Sequence, residues 1–456
     1  MIKNISAKVL ISVTTCLLAS SAAYSEDLFT VYQHAKESDP QIRSSEANYL
    51  AVLEQKPQAL AAFGSSVTLS GSASIDNSTT YSGASSSTSN ALDVGAAYSL
   101  DLSKPLYNRV LNEQLAQADI TIAQAEQTLI AQKQNLILRV AEAYFNYLTA
   151  RDAAQLARAE VEAIERQNKQ AEIYFEAGRS AITDLKESQA GYDESLASAV
   201  EADQNVEIAL DNLYSLTNRE YKILRGASDA TPLVTPTPAN IEAWSTSATQ
   251  NNKDVVVAQL AVDIAQKEVD IARANKKPVV NMFASHDGSI SEGESDSDSL
   301  SGSASIGVSF SMNLYDSGKS DADIRQARYL FRKAIQDLET SRRSASQQAR
   351  SYYLNIVTGL NRIKALKRSL ESSEVSRKAT EEGYRAGTRT AVDVLLAYRD
   401  TFQSQNSFAA ARNTFLLNTI RLKSAAGTLS EEDLRAMSRI LNRSQTTRLA
   451  PLSSTK

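Results

Sequence analysis

Phe175-Glu-Ala-Gly178-Arg-Ser-Ala-Ile-Thr-Asp184 returns 209 residues later as Tyr384-Arg-Ala-Gly387-Thr-Arg-Thr-Ala-Val-Asp393. In both stretches an aromatic residue precedes a glycine and an aspartate follows it at the same spacing. A Gly just past a helical pattern reads as a helix C-cap, because the left-handed backbone that ends a helix costs Gly almost nothing. Each stretch therefore predicts a helix, a Gly turn and a returning helix. The same offset pairs Tyr144 with Tyr353 and Asn146 with Asn355, while Leu106-Tyr-Asn108 matches Leu314-Tyr-Asp316 with a one-residue slip. The chain is read as an internal duplication.

Proline and glycine set the length of the helices outward from these turns. No Pro falls between Pro105 and Pro232 or between Pro278 and Pro451, and Gly178 and Gly191 are the only Gly from Tyr107 to Arg225. Pro breaks helix interiors and Gly weakens them, so very long helices fit here. Leu115, Ala118, Ile122, Ala125, Leu129 and Leu136 alternate at three and four, with Gln132 in the missing place. Ile324, Ala327, Phe331, Ala334 and Leu338 repeat the pattern. This is an Ala-rich coiled-coil seam that lets helices approach closely. A helix from about Val110 to Ala177 would be ~100 Å long.

Strand signals occur twice per half. Val67, Leu69, Gly71, Ala73 and Ile75 alternate with Thr and Ser, as do Leu92, Val94, Ala96, Tyr98, Leu100 and Leu102 with small or polar residues. The hairpins are placed at 64–107 and 279–315, the second carrying Val280, Met282, Ala284 and then Ala304, Ile306, Val308, Phe310, Met312 and Leu314. Loops are expected at Asp76–Asn90 and at the acidic, Ser-rich Asp287–Ser299. One strand face is apolar and the other small and polar, as in a barrel with lipid outside and water inside. Soluble hairpins with one face on a core give the same alternation. Four strands cannot close a barrel and a lipid-exposed edge is forbidden, so a barrel reading requires several chains.

Lys3 and Lys8 precede the apolar Val9–Ala19 segment and small residues follow, which predicts a secretory signal peptide over 1–25, with cleavage after Ser25 favoured over Ala23. Cys16, the single Cys, lies inside that segment and is badly placed for lipidation. No later stretch is apolar for the ~18 residues of a membrane helix. A first repeat is placed over 26–225, a Pro-rich link over 226–240, a second repeat over 241–429, and a short helix with polar tail over 430–456, opened by a Ser430–Asp433 capping box. Gly (16) and Pro (8) make about 5% of 456 residues, against roughly 12% ordinarily, so turns are few. A formal charge of −5 argues against nucleic acid, and two His with one Cys exclude a His/Cys metal cluster. No cofactor motif, metal site or catalytic residue emerges, so an enzyme is not expected.

From Leu28 to about Leu429 the chain resembles the TolC family of outer-membrane efflux and secretion channels. The resemblance rests on Gly178-Arg-Ser-Ala-Ile-Thr-Asp-Leu185, Gly387-Thr-Arg-Thr-Ala-Val-Asp-Val-Leu395, Leu314-Tyr-Asp316 and Lys36-Glu-Ser-Asp-Pro40. It implies a mainly α chain with a membrane β-barrel: a homotrimer whose 12-stranded barrel continues into a 12-helix tunnel across the periplasm of a Gram-negative bacterium. It also implies outer-membrane lipid around the barrel, an ABC or proton-driven inner-membrane pump and a periplasmic adaptor. Gly178 and Gly387 would form the periplasmic tip. Residues matching Asp184, Tyr384 and Arg389 link neighbouring coils in the family, and that matching Asp393 lines the constriction. By spacing alone Arg389 and Asp393 read as an exposed i,i+4 ion pair. A second acidic residue one turn on is replaced here by Leu396, which would form an apolar collar or simply pack. A periplasmic coiled-coil adaptor or structural protein without a pore is the competing reading, and lipid-facing strands discriminate against it.

Overall fold

The computed structural model describes residues 26–81, 88–227, 231–293 and 299–446. The expected signal peptide with Cys16, and the polar tail past Thr446, lie outside the described residues. Three short helices lead in: α1 (Leu28–Ser38), α2 (Pro40–Leu53) and α3 (Gln55–Ala61). Strands β1 (Ser66–Tyr81) and β2 (Thr88–Asn108) follow, then α4 (Arg109–Glu176) and α5 (Ile182–Thr217). The second half repeats the order: α6 (Ile241–Asn251), α7 (Lys253–Ala274), β3 (Val279–Gly293), β4 (Ser299–Ser311), α8 (Lys319–Arg385) and α9 (Ala391–Ala425). Helix α10 (Glu431–Thr446) closes the chain. The long helices α4 and α8 have 68 and 67 residues, each about 100 Å.

The strands form one antiparallel sheet in the order β1-β2-β3-β4. They are longer than the sequence suggests, because Asp76–Tyr81, Thr88–Asn90 and Asp287–Gly293, expected in loops, continue the ladder. Alternation of apolar and polar residues fails there, but backbone pairing does not need it, and Ser289–Ser301 and Ser291–Ser299 hydroxyl bonds at 2.7 and 2.8 Å bridge the strands. At the other end β4 stops at Ser311 rather than reaching Tyr315. β4 stops there because its partner β3 begins at Val279, which faces Ser311; β2 ends at the same level, where Asn108 faces Val279, and Leu314 is left 86% exposed. Asp316 then accepts from the Gly318 and Ser320 amides and turns the chain into α8.

Next to the sheet the helices follow the strand order, with α3 beside α4, α4 beside α7 and α7 beside α8. Towards the other end the order becomes α5-α4-α9-α8. Where the two arrays meet lies the core, built on Tyr144, Phe145, Leu148, Leu213, Ile356 and Leu422. α1 and α10 wrap this level, and Asp39 serves both, ending α1 and capping α2 through the Gln41 and Ile42 amides. The buried Trp244 donates its indole N–H to the Pro238 carbonyl and clips the Pro-rich link onto α6. No helix among the described residues is long and apolar enough to cross a membrane.

Candidate functional site: the helix-turn tip

The two Gly turns share one geometry. Gly178 and Gly387 have φ of +69° and +77°. The Gly178 amide donates to the Phe175 carbonyl and Arg179 to Tyr174; likewise Gly387 donates to Tyr384 and Thr388 to Gly383. Both are Schellman caps, which satisfy the last carbonyls of α4 and α8 and need a left-handed residue at one place. The returning helices differ. Thr390 caps α9 in a full capping box: its hydroxyl accepts from the Asp393 amide while its own N–H and O–H donate to the Asp393 carboxylate at 2.9 and 3.0 Å. Those bonds hold the Asp393 carboxyl below the usual range, the Thr390 backbone N–H contributing most. The i,i+4 pairing with Arg389 therefore does not form, since Asp393 is committed to the cap. The corresponding position before α5 is Ala181, which has no hydroxyl, so Asp184 in the first turn makes no such box.

Across the tip the Tyr174 and Tyr384 rings meet at 5.7 Å between centres, and the Arg179 guanidinium lies 4.8 Å over Tyr174. The Tyr384 hydroxyl is buried without a well-formed hydrogen bond, facing Gln167, whose amide nitrogen is also unpaired. Burial, then Tyr174 and the Asp184 carboxylate, push the Tyr384 phenol up. The fold thus brings Asp184 and Tyr384 into one electrostatic neighbourhood. Arg389 stays exposed, its methylenes lying where a Gly383 side chain would be, 2.8 Å from that Cβ position. Leu396 is 49% exposed, turned away from its own chain's core.

Above the turns α5 crosses α9. A Cβ on Gly191 would meet Leu395 Cδ2 at 2.6 Å, so any larger residue there would require the Leu395 side chain to shift. One turn further, Arg399 of α9 is ion-paired with Glu194 of α5. Glu160 of α4 lines the same cleft, and burial first, opposed by Arg399 and reinforced by Glu194, holds its carboxyl above the usual range. Sequence reasoning missed Gln167, Tyr174, Glu160 and the Glu194–Arg399 pair, which are 205 residues apart and carry no local signature. Gly191 was visible only as an isolated Gly in a helical stretch.

The model of the family described as "outer membrane efflux protein" matches residues 31–219 and 244–428, once in each half. The chain is 32% identical over 434 residues to "Outer membrane protein TolC" of Escherichia coli K12, covering 93% of this chain and 87% of that one. It is 29% identical over 341 residues to "Alkaline protease secretion protein AprF" of Pseudomonas aeruginosa, covering 74% and 70%. The fold resembles solved CusC at a TM-score of 0.74 with 17% identity, over 89% of this chain and 92% of that one. The Campylobacter jejuni CmeC outer membrane channel gives 0.72 with 16% identity, over 91% and 90%. Two helix-turn-helix arms, a shared sheet and two matches to one model make this chain a member of the outer membrane efflux protein family.

Proposed function

We propose that three copies of this chain close head to tail into one outer-membrane exit duct, opened at its tip when a periplasmic adaptor and an inner-membrane pump dock. The observation that carries it is the pair of free edges. Among the described residues β1 and β4 lie on opposite sides of the sheet with no second strand partner, and α5 and α8 stand at the two ends of the helix order towards the tip. Apolar side chains stay exposed on both helices, Leu196 and Val200 on α5 and Leu354 and Val375 on α8. The edge of one copy fits the opposite edge of the next, a heterologous contact that generates a ring. Closure abolishes strand edges, which a bilayer does not tolerate. The apolar sheet face, with Leu69, Leu300 and Ile306 exposed, then meets lipid. A coiled-coil adaptor has no use for such a face.

The duct performs no chemistry of its own, and its location is the outer membrane with the helices in the periplasm. Family likeness to proteins named for protease secretion and for efflux supports a role in both kinds of export. At the tip Asp184 and Tyr384 of one chain and Arg389 hold neighbouring coils together, while Asp393 and Leu396 stand at the constriction. Arg389 supports this because it is exposed and forms no ion pair among the described residues. Single-channel recording in planar bilayers tests both parts. Small steady currents that grow in Arg389→Ser are expected; equal currents discard the Arg389 latch, and a detergent-free soluble protein without currents discards the duct.

A further inference from the structure

The polar face of the sheet is not uniformly small. Phe283 lies on it, opposite Ser103 of β2 and Gly307 of β4, in register with rows of Ser, Thr and Asp. Its ring leans over Gly307, coming within 2.9 Å of where a Cβ would sit, and stays 36% exposed. No other aromatic residue occupies that face among the described side chains. The next two rows along the same face bring Asp101 and then Asp287. Asp101 is a diagonal neighbour of Phe283, about 7–8 Å away across the strands. Asp287, four residues along β3, is roughly 13 Å away. Beyond Phe283 the face opens into a cleft of about 340 Å³ lined by Ser70, Ser99, Asp287, Ser289, Ser301 and Ser303. The only Lys or Arg in the four strands is Lys104, which pairs with Met282 on the apolar face.

We infer that this wall is a binding station for organic cations that carry aromatic rings: Phe283 supplies a ring platform and Asp101 with Asp287 the counter-charge. The ring is electron-rich on its face and attracts cations, most strongly where water is partly displaced. The cleft has the volume that takes a drug-sized molecule, and its serine hydroxyls can donate or accept. Because Gly307 gives the ring a floor, it lines the wall without blocking the lumen. The station rests on the duct reading above, which puts the polar face inside the barrel. It would select among cargoes already delivered by the pump.

The test uses the full trimer in a planar bilayer, with tetraphenylphosphonium as the probe and tetraphenylborate, an anion of the same shape, as the control. Tetraphenylphosphonium should interrupt the current, and Phe283→Ser should shorten each interruption about two- to fivefold, the size of one such ring contact. Phe283→Leu, which keeps apolar bulk over Gly307, should shorten it as well. Tetraphenylborate, which carries the same four rings around a negative charge, should not interrupt the current in any of the three proteins. Normal currents with unchanged interruptions in both variants overturn the station and leave the duct standing. Interruptions kept in Phe283→Leu overturn the role of the ring. Absence of currents from the unmodified protein is a failure of the duct reading itself.

Discussion

Replacing Arg399 by Gln tests whether the α5–α9 crossing holds the tip closed. Arg399 is one-third exposed and Glu194 two-thirds, so the pair belongs with surface bridges worth ~0.2–1 kcal/mol. Taking ~0.5 kcal/mol for each copy of the proposed trimer gives ~1.5 kcal/mol per channel, about a tenfold shift between closed and open. The cleft makes the two partners unequal. Losing Arg399 leaves Glu160 and Glu194 facing each other without a cation, whereas Glu194→Gln leaves Arg399 to serve Glu160. Arg399→Gln should therefore open the channel more than Glu194→Gln. The pH dependence has a definite sign. Burial in the cleft raises Glu160, and an opening that returned its carboxyl to water would remove that shift, so the closed contact binds the proton more tightly than the open one. Acidification from neutral pH should strengthen closure, more steeply in Arg399→Gln. Open dwell times from single-channel records measure all of this. Identical dwell times in the three proteins, or a larger effect from Glu194→Gln, would refute the latch.

Three further outcomes follow from the geometry. Tyr144 is fully buried and its hydroxyl donates to the Arg225 carbonyl at 2.6 Å, so Tyr144→Phe should cost about 1–3 kcal/mol in thermal or denaturant unfolding. Gly387→Ala puts a Cβ on a residue at φ +77° with nothing around it, so the cost is backbone strain of about 1–2 kcal/mol, and Gly387→Asn should lose less. Thr390→Ala removes the capping box and should speed amide exchange in the first turn of α9, with Thr390→Ser restoring protection. In the unmodified protein that protection is present above the ordinary carboxylate range and is lost as pH falls through the lowered value of Asp393. Exchange rates that do not depend on pH in this way count against the cap.

Much of the architecture is written locally. Gly178 and Gly387 fall at the left-handed caps that their spacing predicts, because one residue's backbone freedom decides where a helix ends. The absence of Pro from 106 to 231 allows a 68-residue helix, and Ser430 with Asp433 marks the start of α10. Alternating residues place the apolar sheet face. Periodicity could not place the strand ends, since Ser-rich segments pair through their backbones whatever their pattern, and β4 stops where a neighbour is lacking.

What needed the tertiary structure is every contact between the halves. Spacing offered Asp393 an ion pair with Arg389, but the nearer Thr390 hydroxyl and amide claim the carboxylate, since a cap satisfies helix donors that have no other partner. Tyr174 on Tyr384, Gly191 under Leu395 and Glu194 on Arg399 join residues some two hundred positions apart, and only the packing of α4, α5, α8 and α9 sets their distances. Phe283 falls between Met282 and Ala284 of the apolar alternation, so its face follows from the sequence, but the residues that share that face with it do not. The register of β2, β3 and β4 decides that Ser103 and Gly307 flank it and that Asp101 and Asp287 follow in the next two rows, because pairing between strands distant in sequence sets which side chains are neighbours.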